Sequence, residues 1–342
     1  MTETTTLLRT IDLYAGAGGL AYGFQSAKCN GFKFEIVAMF DNWKPAIETL
    51  KKNFANTEIV NMDFDTYDGD KSVFTRFAPD IIIGGPPCQD FSHAGKRNED
   101  LGRGKLTITF ADIVIDVRPK WFVMENVDRI LRTQKYKLVK TAFERAGYGI
   151  TEKVLDASLC GVPQKRKRYF MIGELWGPNG VLLPYLEKSL AIKPMTLRDY
   201  FGDSLGVEYY YRHPRNYGRR AIYSIDEPSP TVRGVNRPIP STYKKHPGDA
   251  AEPDEKVRPL TTLERSYIQT FPRGYFFEGS KTEKEQMIGN AVPVKLAECV
   301  GKCILNYIAD SAKTKQKRLG ICLEEKLTEK PNSSNLSSMD GP

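Results

Sequence analysis

The chain has no apolar run that approaches the length a bilayer span needs. Its opening residues, Met1-Thr2-Glu3-Thr4-Thr5-Thr6, lack the charged and apolar blocks of a secretory leader. Its six cysteines (29, 88, 160, 299, 303 and 322) are scattered, and no Cys-x-x-Cys or Cys/His spacing marks a zinc site. That distribution argues against a disulfide-framed secreted scaffold and fits a reducing cytosol, so a cytoplasmic location without metal is expected. Acid is in deficit too: Lys and Arg number 50 against 42 Asp and Glu, a net charge of +8 with a pI near 9.0. A polyanionic partner suits that balance, although surplus lysine is also ordinary solvated surface. What remains, 342 residues with 40% hydrophobic and 27% charged, is ordinary for a globular protein of one large domain or two.

An apolar run, Asp80-Ile81-Ile82-Ile83, reads as a buried parallel strand leading into Gly84-Gly85-Pro86-Pro87-Cys88-Gln89-Asp90-Phe91-Ser92. Two glycines free the backbone and two prolines forbid helix, so Cys88 follows a rigid turn at the carboxyl end of a strand. Ligands and chemistry sit at that end of open α/β sheets. Cys88 is a candidate nucleophile; an inert buried thiol after a turn is the competing reading. Upstream, Arg9–Tyr14 alternates as a first strand and enters Ala15-Gly16-Ala17-Gly18-Gly19-Leu20-Ala21. There Gly16, Gly18 and Ala21 fit the turn that lets a ligand touch backbone at a helix N-terminus. A second strand, Phe34–Phe40, ends at Asp41, placed either to grip ribose hydroxyls or to cap a helix over Lys44–Asn53. A third, Glu58–Val60, delivers Asp63 to the same rim. Three successive strands ending in small or acidic residues favour a nucleoside pocket.

Beyond Cys88, the polar segment His93–Gly104 reads as a mobile lid or as a plain connection. A helix over Leu106–Val117 and a buried strand over Trp121–Met124 bring Glu125-Asn126-Val127 to the rim. A carboxylate ending an apolar strand needs a partner or a task. Helix Tyr136–Ala146 and strands over Gly149–Asp156 and Tyr169–Gly173 follow. Before the last of these, Gln164, Arg166 and Arg168 alternate and would share one face of an extended segment. From about Glu174 the βα alternation stops. Between Tyr209 and Pro247, eight basic residues (212, 215, 219, 220, 233, 237, 244, 245) meet two acids (226, 227), with Tyr209, Tyr210, Tyr211, Tyr217, Tyr223 and Tyr243 interleaved. Basic residues with aromatics on an irregular framework suit a nucleic-acid groove, so docking surface is expected here more than core. A helix over Thr261–Ile268, then an apolar helix over Val294–Ala309 introduced by Gln286–Pro293, return the chain to the first domain. Cys299 and Cys303, at i and i+4 on that helix, read as core. Beyond Ser311 the aperiodic, polar chain is expected to be a disordered tail.

These residues resemble the cytosine-C5 DNA methyltransferases. Over roughly residues 8 to 310, Asp12–Phe24, Pro86-Pro87-Cys88-Gln89, Glu125-Asn126-Val127, Gln164-x-Arg166-x-Arg168 and Gly289-Asn290-x-Val292-Pro293 look like that family's motif blocks, in its usual order. Tyr14 stands where the family usually has Phe, Asp41 where Glu is commoner, and Lys105 at a loop position the family leaves variable. The resemblance implies an α/β fold: a Rossmann-like class I methyltransferase sheet with helices on both faces (1–175, rejoined by 281–310). A smaller irregular, β-containing target-recognition domain (176–280) and the tail (311–342) complete it. It also implies S-adenosylmethionine as cofactor, S-adenosylhomocysteine as product, and no metal. The cofactor pocket would comprise Tyr14 on the adenine face, Gly16, Gly18 and Gly19 at the methionine end, Asp41 on the ribose and Asp63 on the adenine amino group. Leu20, Asn42, Phe64, Pro86, Leu106, Asn290 and Val292 would complete it.

By the same resemblance, Cys88 would add to C6 of a cytosine flipped out of duplex DNA, Glu125 would serve N3, and Arg168, with Arg166 nearby, O2. Gln89, Ser92, His93, Arg97, Arg103, Gln164, Thr231, Arg233 and Arg237 would meet DNA. Arg233 and Arg237 are candidates for guanine, with phosphate contact equally open. A monomer is expected, part of a restriction–modification system with a separate cognate endonuclease and no membrane partner. The alternatives move the same chemistry to tRNA, or keep DNA binding and lose catalysis. The full-sized basic segment favours duplex DNA, and intact Cys88, Glu125 and Arg168 favour an enzyme.

Overall fold

The isoleucine run and its neighbours build the centre of a sheet. A computed structural model describes residues 5–87, 105–214, 216 and 218–328, with side chains to residue 314. The first half comprises β1 (Thr6–Leu13), α1 (Gly19–Ser26), β2 (Lys28–Cys29), β3 (Phe32–Asp41), α2 (Lys44–Asn53), β4 (Glu58–Asn61), α3 (Ser72–Thr75), β5 (Ile81–Gly84), α4 (Lys105–Val117), β6 (Trp121–Asn126), α5 (Gln134–Arg145), β7 (Tyr148–Asp156), β8 (Gln164–Lys165) and β9 (Lys167–Leu175). Then come α6 (Leu183–Lys188), α7 (Leu197–Phe201), β10 (Tyr209–Tyr211), β11 (Ile222–Ser224), β12 (Ser229–Pro230), β13 (Arg258–Pro259), α8 (Thr262–Ile268), α9 (Lys281–Asn290) and α10 (Val294–Thr328).

The main sheet has eight strands in the order β2-β3-β1-β5-β6-β9-β7, with β4 also pairing β3. Strands β1, β3, β4, β5 and β6 run parallel, whereas β9 lies antiparallel between β6 and β7. The apolar pattern of Tyr169–Gly173 carries no sign of that reversal, because a strand buried on both faces reads alike in either direction. Chain order reverses between β1 and β5, so a crevice opens over their carboxyl ends. There Leu13 pairs with both Phe40 and Gly84, and Gly84 with Met124. Side chains alternate between two cores: Ile81, Ile83, Trp121 and Val123 pack with α1, α2 and α10, and Ile82, Phe122 and Met124 with α4 and α5. Each of these buried aliphatic or aromatic side chains is worth roughly 1.5–3 kcal/mol.

The region after β9 departs from expectation. Tyr210 and Tyr211 are 2% and 1% exposed, and Tyr211 with Ala221, Ile222 and Val257 centres a small core on which Tyr243 packs. A region short of aliphatic side chains has buried its aromatics instead, so the tyrosine-rich stretch is core as well as surface. Of its described tyrosines, Tyr209 alone is exposed; Tyr217 lies outside the described residues. Helix α9 is set by a capping box that the apolar pattern does not reveal: Ser280 Oγ takes the Glu283 amide and Glu283 takes the Ser280 amide. The expected disorder from Ser311 is corrected as far as Thr328, since α10 continues to that point on good helix formers. Residues 329–342 lie outside the described residues.

Candidate active site

The carboxyl ends of the parallel strands surround a cleft of about 560 Å³. Just past β1, Tyr14 adopts a left-handed φ of 59°, with its ring centroid 4.0 Å from that of Phe64 and its hydroxyl donating to the Leu106 carbonyl at 3.0 Å. The two rings make an aromatic wall. Burial, and secondarily the Asp65 charge, keeps the Tyr14 phenol protonated. Gly16 donates its amide to Asp41 Oδ2 at 2.7 Å, and Asp41 Oδ1 takes the Trp43 amide at 2.8 Å. Asp41 therefore braces the glycine turn and the start of α2 while still lining the cleft. Burial raises its pKa; the amides of Trp43, Gly16 and Asn42 oppose that.

Gly19 opens α1 where an added Cβ would lie 2.3 Å from the Val292 carbonyl oxygen, so only glycine lets the turn meet the returning 290–292 segment. Leu20, Asn42, Asp63, Phe64, Pro86, Leu106, Asn290 and Val292 line the same cleft. Gly18 does not. At φ 76° it caps α1, and a Cβ there would meet Leu50, Phe54 and Tyr275, so glycine is needed for the turn itself. Asp12 lines the cleft without having been among the expected pocket residues. It is 1% exposed, and neither carboxyl oxygen has a hydrogen-bond partner among the described residues. Burial first and Asp41 second push its pKa well above the usual carboxylate range, with the nearby Ala21 amide opposing them. The sequence did carry a signal: an acid between Ile11 and Leu13 is costly without a task.

On the other wall, Glu125 at the end of β6 is 8% exposed and forms an ion pair with Arg168, Oε1 to Nε at 2.9 Å. Burial raises its pKa, and Arg168 and then Arg166 pull it back. Its neighbour Asn126 donates Nδ2 to the Pro86 carbonyl at 2.9 Å, anchoring the turn that leads to Cys88. Cys88 itself, with Gln89, Ser92, His93, Arg97 and Arg103, lies outside the described residues, as does the expected lid.

Gln164 and Arg166 are not placed as expected. Arg166 is buried and donates to the carbonyls of Val232 at 3.0 Å and Gly289 at 2.9 Å. Gln164, also buried, takes the Val232 amide at 2.8 Å and donates to Gln269 Oε1 at 2.7 Å. Gln269 Nε2 in turn donates to the carbonyls of Ile288 and Ala291, at 2.5 and 3.1 Å. Strand β12 pairs with β8 so that Ser229 faces Gln164. Gln164 is thus corrected from DNA contact, and Arg166 from substrate contact, to members of a buried clasp. The clasp holds the 229–233 and 286–292 segments to the strand carrying Arg168. Alternation gave these side chains a common face, but that face is covered by the returning chain. Gln269, at the end of α8, had no sequence signal beyond being polar.

Toward the expected DNA side, Thr231 donates its hydroxyl to the Lys165 carbonyl at 2.8 Å, and Arg233 its guanidinium to the His213 carbonyl. Both are half-buried, whereas Arg237 is exposed. Arg219 and Lys244 are exposed as well, while Arg220 and Lys245 pair with Glu227 and Glu252. Among the described residues, no group of His, Cys, Asp and Glu is arranged to hold a metal ion, and no helix is long and apolar enough to cross a membrane.

Residues 8–306 match the sequence profile of the C-5 cytosine-specific DNA methylases. Two bacterial Type II methyltransferases are similar over most of their length. M.HindV of Haemophilus influenzae is 53% identical over 301 residues, covering 88% of this chain and 97% of the relative. M.HgiDI of Herpetosiphon aurantiacus is 52% identical over 301 residues, covering 88% and 95%. Two solved structures share the fold. A putative DNA modification methyltransferase encoded in an E. coli prophage aligns with a TM-score of 0.64 at 23% identity, over 88% of this chain and 99% of that one. The S. pombe Dnmt2 methyltransferase aligns with a TM-score of 0.65 at 17% identity, over 89% and 99%.

Proposed function

We propose, because this chain belongs to the C-5 cytosine-specific DNA methylase family, that it methylates C5 of a cytosine flipped out of a specific duplex sequence, through a transient bond between Cys88 and C6. The observation that carries this reading is the buried Glu125–Arg168 pair beside the Pro86–Pro87 turn that Asn126 holds. Cytosine C5 is a poor nucleophile until a group adds to C6. A thiolate suits that addition, and Cys88 follows directly on the anchored turn. As charge reaches N3, the Glu125 carboxyl, its pKa raised by burial, supplies a proton or a strong hydrogen bond. Arg168, oriented by Glu125, stabilises O2. Neither side chain can serve a stacked base, so the nucleotide must leave the duplex.

The cleft fits S-adenosylmethionine better than a phosphate-bearing dinucleotide. The acidic lining of Asp12, Asp41, Asp63 and Asp65 disfavours a diphosphate and suits a ligand bearing ammonium and sulfonium charges. Tyr14 and Phe64 would flank the adenine, Asp63 its amino group, Asp41 the ribose, and Gly16 and Gly19 the methionine end. When bound, the cofactor supplies a methyl group on a sulfonium. Once C5 carries that methyl, loss of the C5 proton to water expels Cys88. Target choice would fall to 176–280, with Arg237 exposed for base or phosphate. The Type II relatives support a place in a restriction–modification system; a cytoplasmic monomer acting alongside a separate endonuclease completes this reading.

The test is a random-sequence duplex with 5-fluorocytosine in place of cytosine. With cofactor, wild type should form a complex that survives denaturing electrophoresis, and Cys88→Ala should form none while still binding the cofactor. No trapping by wild type, or Cys88→Ala activity within about tenfold of wild type (roughly 1.4 kcal/mol on the barrier), removes the nucleophile assignment.

A further inference from the structure

Residues 231–237, expected on the DNA side, are held at more points than a surface loop requires. Beyond Val232, which the buried clasp fixes, their backbone lies on α9: a Cβ on Gly289 would meet the Gly234 nitrogen at 2.2 Å, and one on Gly234 the Gln286 Cα at 3.1 Å. From α8, the Arg265 guanidinium donates to the carbonyls of Arg233 and Val235, and it forms an ion pair with Glu285 of α9. The side chains of Arg265 and Glu285 are only 9% and 4% exposed, so both charges are withdrawn from water. Glu285 Oε1 also accepts from Thr262 Oγ1 at 2.7 Å and from Asn236 Nδ2 at 3.1 Å, and Asn236 Nδ2 donates to the Leu260 carbonyl at 2.8 Å. Out of this pinned backbone stand two exposed side chains, Val235 and Arg237. Neither Arg265 nor Glu285 lines the cleft.

We propose that Arg265 and Glu285 are positioning residues for target recognition: together they fix the 233–237 backbone so that Val235 and Arg237 meet the duplex in a single register. The inference rests on the DNA-methylation reading above and deepens it. Stability alone does not account for the pair. Withdrawing two charges from water offsets much of their mutual attraction, and well-packed apolar side chains in their place are often as stable or more so. Apolar side chains cannot hold two main-chain carbonyls and a carboxylate at once, which the planar fork of arginine does. Glu285 grips the same loop from its other end, through Asn236. Of the two side chains the loop presents, Val235 offers an apolar contact of the kind a thymine methyl accepts, and Arg237 a cation for guanine or phosphate. A loop with several backbone states would present them at several heights above the groove and discriminate less between base pairs. A loop held in one state has given up that freedom before DNA arrives. Arg265 and Glu285 thus act through the loop and touch no substrate atom.

The test is the fidelity of methylation on random-sequence duplex, read by bisulfite sequencing after reaction of the full-length protein with S-adenosylmethionine. Wild type should give one sharp consensus. Arg265→Lys keeps a cation for Glu285 but lacks the fork. It should raise methylation at sites one base pair off the consensus about tenfold or more relative to the consensus site, a loss of roughly one base pair's discrimination. The KM for consensus duplex should rise, while kcat there and the dissociation constant for S-adenosylmethionine stay near wild type. The double variant Arg265→Met/Glu285→Met leaves no buried charge unpaired, so it should keep a urea midpoint comparable with wild type and still show the relaxed consensus. Asn236→Ala, at a half-buried loop position, leaves the ion pair whole and should move fidelity in the same direction. An unchanged consensus in these variants, or a kcat loss equal at every site, would overturn the proposal and leave the methylation reading standing; a wild type that methylates no cytosine would remove both.

Discussion

Replacing Gln269 with methionine isolates the buried clasp, because methionine fills a similar volume without the amide. Gln269 is wholly buried; its side chain accepts from Gln164 Nε2 and donates to the Ile288 and Ala291 carbonyls. Each lost hydrogen bond costs a net ~0.5–1.5 kcal/mol, and the stranded Gln164 amide adds about 1–3 kcal/mol. The loss should therefore total about 2.5–7.5 kcal/mol, a large share of the ~5–15 kcal/mol that holds a typical domain together. Urea unfolding read by fluorescence should show the midpoint falling with the slope unchanged. Pairing the change with Gln164→Met sharpens the test. If the two amides serve one another, the double variant should cost little more than either single, leaving a coupling energy of ~0.5–3 kcal/mol. Function should move in a defined way too. The Ile288 and Ala291 carbonyls flank Asn290, so the dissociation constant for S-adenosylmethionine should rise more than kcat falls. A stability loss below about 1 kcal/mol, or strictly additive single variants, would mean that the clasp does not couple these segments.

Two further predictions concern the buried acids. Because burial raises the Glu125 pKa and activity is assigned to its protonated form, kcat should fall as pH rises through that value. Glu125→Gln should lose about 100-fold or more in kcat and flatten this alkaline limb; an unchanged pH profile would remove Glu125 as the proton source. Asp12 is the second. Its folded-state pKa lies above the unfolded one, so its contribution to stability is complete below the usual carboxylate range and is lost as pH rises through the raised value. Above that raised value, where wild type carries the buried charge, Asp12→Asn should therefore melt about 2–4 °C higher than wild type by scanning calorimetry, yet bind S-adenosylmethionine about tenfold or more weakly. A variant that melts lower, or binds equally well by isothermal titration, would show that the buried charge is neither a cost to the fold nor a contact for the cofactor.

Some of this molecule could be read from its residues because the relevant signals are local. The Ile81–Ile83 run, the two prolines before Cys88 and the glycines of the first turn constrain backbone within a few residues of themselves. They located the strand ends, and with them Tyr14, Asp41, Asp63 and Glu125, on one rim. Periodicity also put Gln164, Arg166 and Arg168 on a common face. What covers a face is another matter. Gln164 meets Gln269, Arg166 meets Gly289, and Cys160 shares a core with α10 only because segments more than a hundred residues apart pack together. A lone polar or sulfur side chain carries no mark of such a partner. The same holds for the reversed direction of β9 and for Tyr210 and Tyr211, whose composition suits a nucleic-acid groove and a small core equally well. Local chemistry determined which atoms reach the rim; burial and pairing, which arise from the fold as a whole, decided which polar groups face a ligand and which hold the chain together.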